Sequence, residues 1–145
     1  MKQIIRKASV VITIGLLCSQ LALQGCRDDD ETNPQEIRLQ ELSQTWVLGT
    51  VTNDGNDVTS QFTGFTLTID QFSFTTQNGG NTWPDSGTYS FLENDLDLIL
   101  RLDAVEINVV SLSAEALTIT FQISQLNGRK QGVTGNFEFQ LINQN

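Results

Sequence analysis

The chain has 145 residues, with 17 acids against eight lysines and arginines, no histidine and two cysteines, for a net charge of −9. The missing histidine removes Ser-His-Asp triads, Cys–His pairs and His-ligated metal sites, and the acidic balance opposes nucleic acid, which needs clustered cations. Carboxylates, hydroxyls and one tyrosine remain for chemistry, so the chain reads as no enzyme and as needing no cofactor.

Residues 1–25 form a leader. Lys2, Arg6 and Lys7 supply a positive start, and residues 8–17 an apolar run without a charge. That run is shorter than the ~20 residues a membrane-spanning helix needs and fits a secretory signal. Leu23-Gln24-Gly25-Cys26 resembles the lipobox of a bacterial lipoprotein, cut before Cys26 and tethered to the membrane by lipid on that cysteine; an ordinary signal peptide with an incidental cysteine is the alternative. Asp28, Asp29, Asp30 and Glu31 follow, which resembles the export signal that carries Bacteroidota lipoproteins to the outer face of the outer membrane. The expected location is the outer membrane, facing the cell exterior, with its periplasmic face as the alternative. Cleavage would leave 120 residues with a net charge of −12 and no free thiol, because Cys18 leaves with the leader.

Residues 26–33 read as an acidic tether and residues 34–145 as one domain. Asn33-Pro34-Gln35-Glu36 has a capping side chain, a proline at the first helical position and an acid in the first turn, which predicts a short helix over 34–43. It should lie against one end of the domain as a plug.

From Gln44 the hydrophobic period becomes two, and strands are predicted over 46–52, 65–70, 72–77, 87–91, 96–102, 105–110, 117–123 and 134–142. Leu117, Ile119, Phe121 and Ile123 alternate with Thr118, Thr120 and Gln122, so one face is dry and the other wet. Eight such strands in succession close most economically as an antiparallel up-and-down barrel, an all-β fold with one N-terminal helix. A two-residue turn at Asp103-Ala104 would pair Leu102 with Val105, Leu100 with Ile107 and Leu98 with Val109 on the inside, and set Arg101 against Glu106 outside. A turn at Asp70-Gln71 would pair Ile69 with Phe72 and Leu67 with Phe74. A tight turn at Asn127-Gly128 would put outward Thr118 opposite inward Phe137, so a bulge at Gly132 or Gly135, or a longer loop, is required.

The spacing of Leu42, Trp46, Asp54-Gly55-Asn56-Asp57-Val58-Thr59, Phe62, residues 65–69, Trp83, Gly87-Thr88-Tyr89, Leu112-Ser113, residues 117–121, Gly128-Arg129, Gly132 and Gly135-Asn136-Phe137 resembles the lipocalin-like domain lipoproteins of Bacteroidota. The resemblance covers about residues 40–143. It implies an eight-stranded lipocalin-like barrel with a helix beside or across it, and no binding residue transfers. Gln44-Thr45-Trp46 lacks the glycine of the usual Gly-x-Trp.

Two functions fit such a barrel. One is a carrier whose interior holds a small hydrophobic or amphipathic ligand, with Trp46, Phe65, Phe74, Tyr89, Phe121 and Phe139 as lining residues; Leu100 and Phe91 belong to the same inward set. The other is an interaction or structural module that contacts another envelope protein and has a solid core. Trp46 also fits floor packing, Arg129 fits stacking on Trp46 or an exposed turn, and Trp83 fits a cap over the barrel mouth or a loop contact to a partner. Asp54-Gly55-Asn56-Asp57 lacks the full ligand pattern of a calcium loop and reads as a polar turn. Asp95 and Asp97, ~6.5–7 Å apart on a strand, overlap the carboxylate separation of inverting glycosidases. They alternate with Leu96, Leu98 and Leu100, and are expected to point to water, away from any cleft.

Overall fold

The structure, a computed structural model, describes residues 33–93, 95–124 and 133–145. Cys26, Asp28, Asp29, Asp30, Glu31, the Asn127-Gly128 turn, Arg129 and Gly132 lie outside the described residues.

Helix α1 spans Pro34–Leu42, with the Asn33 side chain accepting a hydrogen bond from the Gln35 backbone N–H at 3.0 Å. The strands are β1 (Thr45–Asn53), β2 (Asn56–Asp57), β3 (Thr66–Asp70), β4 (Ser73–Gln77), β5 (Ser86–Leu92), β6 (Asp95–Arg101), β7 (Glu106–Leu112), β8 (Ala116–Ile123) and β9 (Gly135–Asn143). Strands β1 and β3 to β9 pair antiparallel in chain order, and β9 returns to β1 to close an eight-stranded barrel. This is the all-β, up-and-down barrel that the alternation predicts, with one short α-helix among the described residues. The two-residue β2 is a flap on the end of β1, made by a turn at Asp54-Gly55 with positive φ at both residues.

Closure depends on a bulge. The β1–β9 register shifts between Leu48 and Thr50, and a Cβ on the intervening Gly49 would stand 2.5 Å from the Gln140 carbonyl oxygen. Glycine is the residue that lets the two backbones approach there.

On β8 and β9 the inward residues are apolar and most outward ones polar. Leu117, Ile119, Phe121 and Ile123 of β8 are buried, as are Phe137, Phe139 and Leu141 of β9. Their outward neighbours are Thr118, Thr120, Gln122, Glu138 and Gln140. This sidedness is the reverse of a membrane-spanning barrel, whose apolar band faces out.

Three predicted registers are corrected or resolved. At the β3–β4 turn the loop is Gln71-Phe72, so Ile69 pairs with Phe74 and Leu67 with Thr76; Phe72 sits in the turn at φ 60°. At the β6–β7 turn the loop has three residues. The Ala104 N–H donates to the Arg101 carbonyl at 2.9 Å, the Arg101 N–H to the Val105 carbonyl at 3.0 Å, and Ala104 takes φ 63°. One extra residue in the loop flips the side assignment of β6. Leu98 therefore pairs with Asn108, Ile99 with Ile107, and Leu100 with Glu106. Ile99 and Arg101 are buried, whereas Leu98 and Leu100 are partly exposed and Leu102 is 80 % exposed. In the last hairpin Phe121 pairs with Phe137 and Ile123 with Gly135, so an 11-residue connection, 124–134, keeps apolar opposite apolar.

Candidate functional site

Both barrel ends are stoppered. At one end α1 buries Leu39 and Leu42. The Trp46 indole N–H donates to the Leu42 carbonyl at 3.1 Å, which satisfies an orphan carbonyl at the helix C-terminus. Arg38 on the same helix forms ion pairs with Glu41 and with Asp97 of β6. At the other end a 3₁₀ turn, Thr59–Phe62, drives Phe62 into the interior, its ring 5.0 Å from that of Phe139 and edge-on to it.

The residue that defines the interior is Trp83. It comes from the β4–β5 loop and is 4 % exposed. Its ring lies 5.7 Å from Phe74, 5.4 Å from Phe121, 6.1 Å from Phe65 and 6.2 Å from Phe139. Gly79 makes room for it, because a Cβ there would stand 2.5 Å from the Trp83 Cβ. The loop is further tied down by Thr76 Oγ1 donating to the Pro84 carbonyl at 2.7 Å. Trp83 thus goes past a mouth cap and fills the lumen.

Arg101 sits against it. The guanidinium carbon is 4.7 Å from the Trp83 ring centroid and 5.9 Å from that of Phe121, and the side chain is 1 % exposed. Asp103 reaches in from the β6–β7 turn: Nε donates to Oδ1 at 2.8 Å and Nη2 to Oδ2 at 2.9 Å. Burial pulls the arginine down to about 10, so it remains charged near neutral pH. Nη1 of Arg101 and Nε1 of Trp83 are buried without a hydrogen-bond partner among the described residues. Arg101 is thus inside, not on the outer face opposite Glu106 as a two-residue turn predicts, and the Asp two positions further on is its partner.

Between the α1 stopper and the Trp83–Arg101 layer a residual cavity of about 30 Å³ remains, lined by Leu42, Leu67, Ile69, Phe74, Tyr89 and Ile99 among others. That volume admits about one water, which needs ≳10–15 Å³, and is about a tenth of the ~300 Å³ at which small-molecule sites begin. Of the expected lining residues, Phe74 and Tyr89 border this cavity. Phe65, Phe121 and Phe139 are spent on the aromatic cluster, and Trp46 on pinning the helix. Phe91 packs at the edge of the core, and Leu100 is outside it. The Tyr89 hydroxyl donates to the Asp70 carbonyl at 3.1 Å, and burial raises its pKa.

The acidic motifs have mundane partners. Asp54 accepts from the Asn136 backbone N–H at 3.0 Å and from its side-chain amide at 2.8 Å, bonds that hold its carboxyl below the usual value. Asp57 accepts from the Thr59 N–H at 2.8 Å. Asp95 accepts from the backbone N–H of Asp97, and Asp97 is taken up by Arg38, so the two are not an acid–base pair across a cleft. In comparisons with known proteins, no family model, no curated protein and no solved structure matches the chain.

Proposed function

We propose that this chain is a lipid-anchored envelope protein whose barrel works as a non-enzymatic interaction module with a filled core. Tethering through Cys26, export directed by Asp28, Asp29, Asp30 and Glu31, and display at the outer membrane surface belong to the same reading and rest on the leader sequence. The observation that supports the module over a carrier is the interior: Trp83, Arg101 and six phenylalanines occupy the lumen and leave about 30 Å³. A fluorescent fatty acid titrated against the purified chain should show no saturable one-to-one binding; a stoichiometric site would overturn the module reading. A palmitate analogue fed to cells should label the protein and fail to label Cys26→Ala. Deleting Asp28 to Glu31 should protect it from protease added to intact cells, and unchanged cleavage would defeat the export assignment.

A carrier remains the second reading because of one feature. Arg101 Nη1 and Trp83 Nε1 are buried donors without acceptors among the described residues, beside an apolar cavity, and unsatisfied buried donors cost about 1–3 kcal/mol each. A small acid entering after α1 shifts would satisfy them, and the same titration detects it.

A further inference from the structure

Helix α1 stoppers the barrel on few attachments. It has nine residues, and a helix shorter than about 12–15 residues does not persist alone in water. Leu39 and Leu42 are its buried side chains, and its Leu42 carbonyl takes the Trp46 indole N–H. Just beyond, the chain is fixed, because the Gln44 carbonyl accepts from the Ile69 N–H of β3 at 3.0 Å. Ser43 is thus the joint between an anchored strand and a loosely held helix.

The wall beside α1 is unzipped. From the β6–β7 turn, the Arg101 N–H reaches the Val105 carbonyl, and pairing runs through Ile99–Ile107 to Leu98–Asn108. There it stops among the described residues, although β7 goes on to pair with β8 as far as Leu112. Antiparallel bonds recur at every second residue, so the Asp97 N–H is the next due to reach β7, at the Val109 carbonyl. It donates instead to Asp95 Oδ1 of its own strand at 2.9 Å. By alternation Asp97 shares the inward side of β6 with Ile99 and Arg101, at the end that α1 covers, and its carboxylate accepts from Arg38 of α1. An ion pair therefore stands where the ladder has ended. It is a weak fastener, because Asp97 is 58 % exposed, Arg38 also bonds to Glu41, and Arg38 Nε is buried without a partner among the described residues.

The apolar cavity lies directly behind, lined by Leu42 of α1 and by Ile99 and Ile107 of the seam. We propose that α1 is a hinged lid: it turns at Ser43, is held shut by the Arg38–Asp97 pair, and opens this cavity at the unzipped end of the β6–β7 seam while the barrel stays folded. Openings of this kind fall on the elements with the fewest buried contacts. Lifting α1 withdraws Leu42 and joins its site to the cavity. The Trp83–Arg101 layer keeps its packing, so the lid and the filled-core reading stand or fall separately.

Hydrogen exchange followed by NMR on the purified chain tests the lid. The Trp46 indole N–H has its acceptor on α1, whereas the Ile119 and Phe139 amides belong to facing residues of the β8–β9 ladder. Protection of the indole should be lower than that of the two amides by on the order of a hundredfold. Asp97→Asn should speed its exchange roughly two- to fivefold and leave both amides unchanged. Sodium chloride at about 1 M, which screens the pair, should speed it in the unaltered chain and not in the variant. Equal protection of indole and amides would mean that α1 leaves only when the barrel unfolds, and would overturn the proposal. So would unchanged exchange in Asp97→Asn, or an acceleration that the amides share.

Discussion

At the residue scale the interior turns on Arg101. A buried guanidinium is tolerated because Asp103 meets it with two hydrogen bonds and Trp83 offers its ring face, an arrangement worth up to ~2 kcal/mol when desolvated. A buried pair adds little net stability, yet removing one partner strands the other charge. Asp103→Ala should therefore cost about 3 kcal/mol in urea denaturation, and Arg101→Met added to it should restore about 2 kcal/mol or more. Equal losses in single and double variants would mean that the pair is not coupled. At the opposite extreme of burial, Asp54 is fully exposed and its folded pKa is lowered by Asn136. A lowered carboxyl stabilises above its unfolded pKa and loses that contribution as pH falls through the folded one. The Asn136 amide resonance should titrate with a midpoint below 3.8; a midpoint at or above it would show that the bond is absent in solution.

At the element scale the β6–β7 hairpin decides which side chains are inside. Ala104 holds φ 63°, a left-handed conformation that costs an L-residue roughly 1–2 kcal/mol. Ala104→Gly should raise stability by about 0.5–1 kcal/mol after glycine's own entropy cost; a loss would contradict the three-residue loop. Ile99→Thr should cost about 2–3 kcal/mol, and Leu100→Thr less than about 1, because threonine suits an outward strand position. The two-residue turn expected from sequence reverses that order. This hairpin also shows where the sequence stops being legible. All eight barrel strands, the helix and its Asn33-Pro34 start are readable, since their periodicity is local. The side that β6 turns inward is not, because Leu98-Ile99-Leu100-Arg101-Leu102 is apolar on both faces and only the turn fixes it. Alanine in place of glycine hid the turn, and arginine is the residue least expected to be buried. Trp83 was ambiguous for a similar reason: it belongs to a loop without periodicity, and only packing carries it into the lumen.

At the scale of the whole molecule, the barrel is closed by pairing, stoppered by α1 at one end and by Phe62 at the other, and filled by a tryptophan from the β4–β5 loop. The expected aromatic residues are indeed interior, but they meet one another, and the space a ligand would take is occupied by Trp83 and Arg101. Native mass spectrometry of the protein, purified gently from cells, tests this most directly. A filled barrel predicts the mass of the polypeptide with its covalent modifications, and nothing further released on denaturation. A reproducible additional mass that denaturation releases would contradict it and make the chain a carrier.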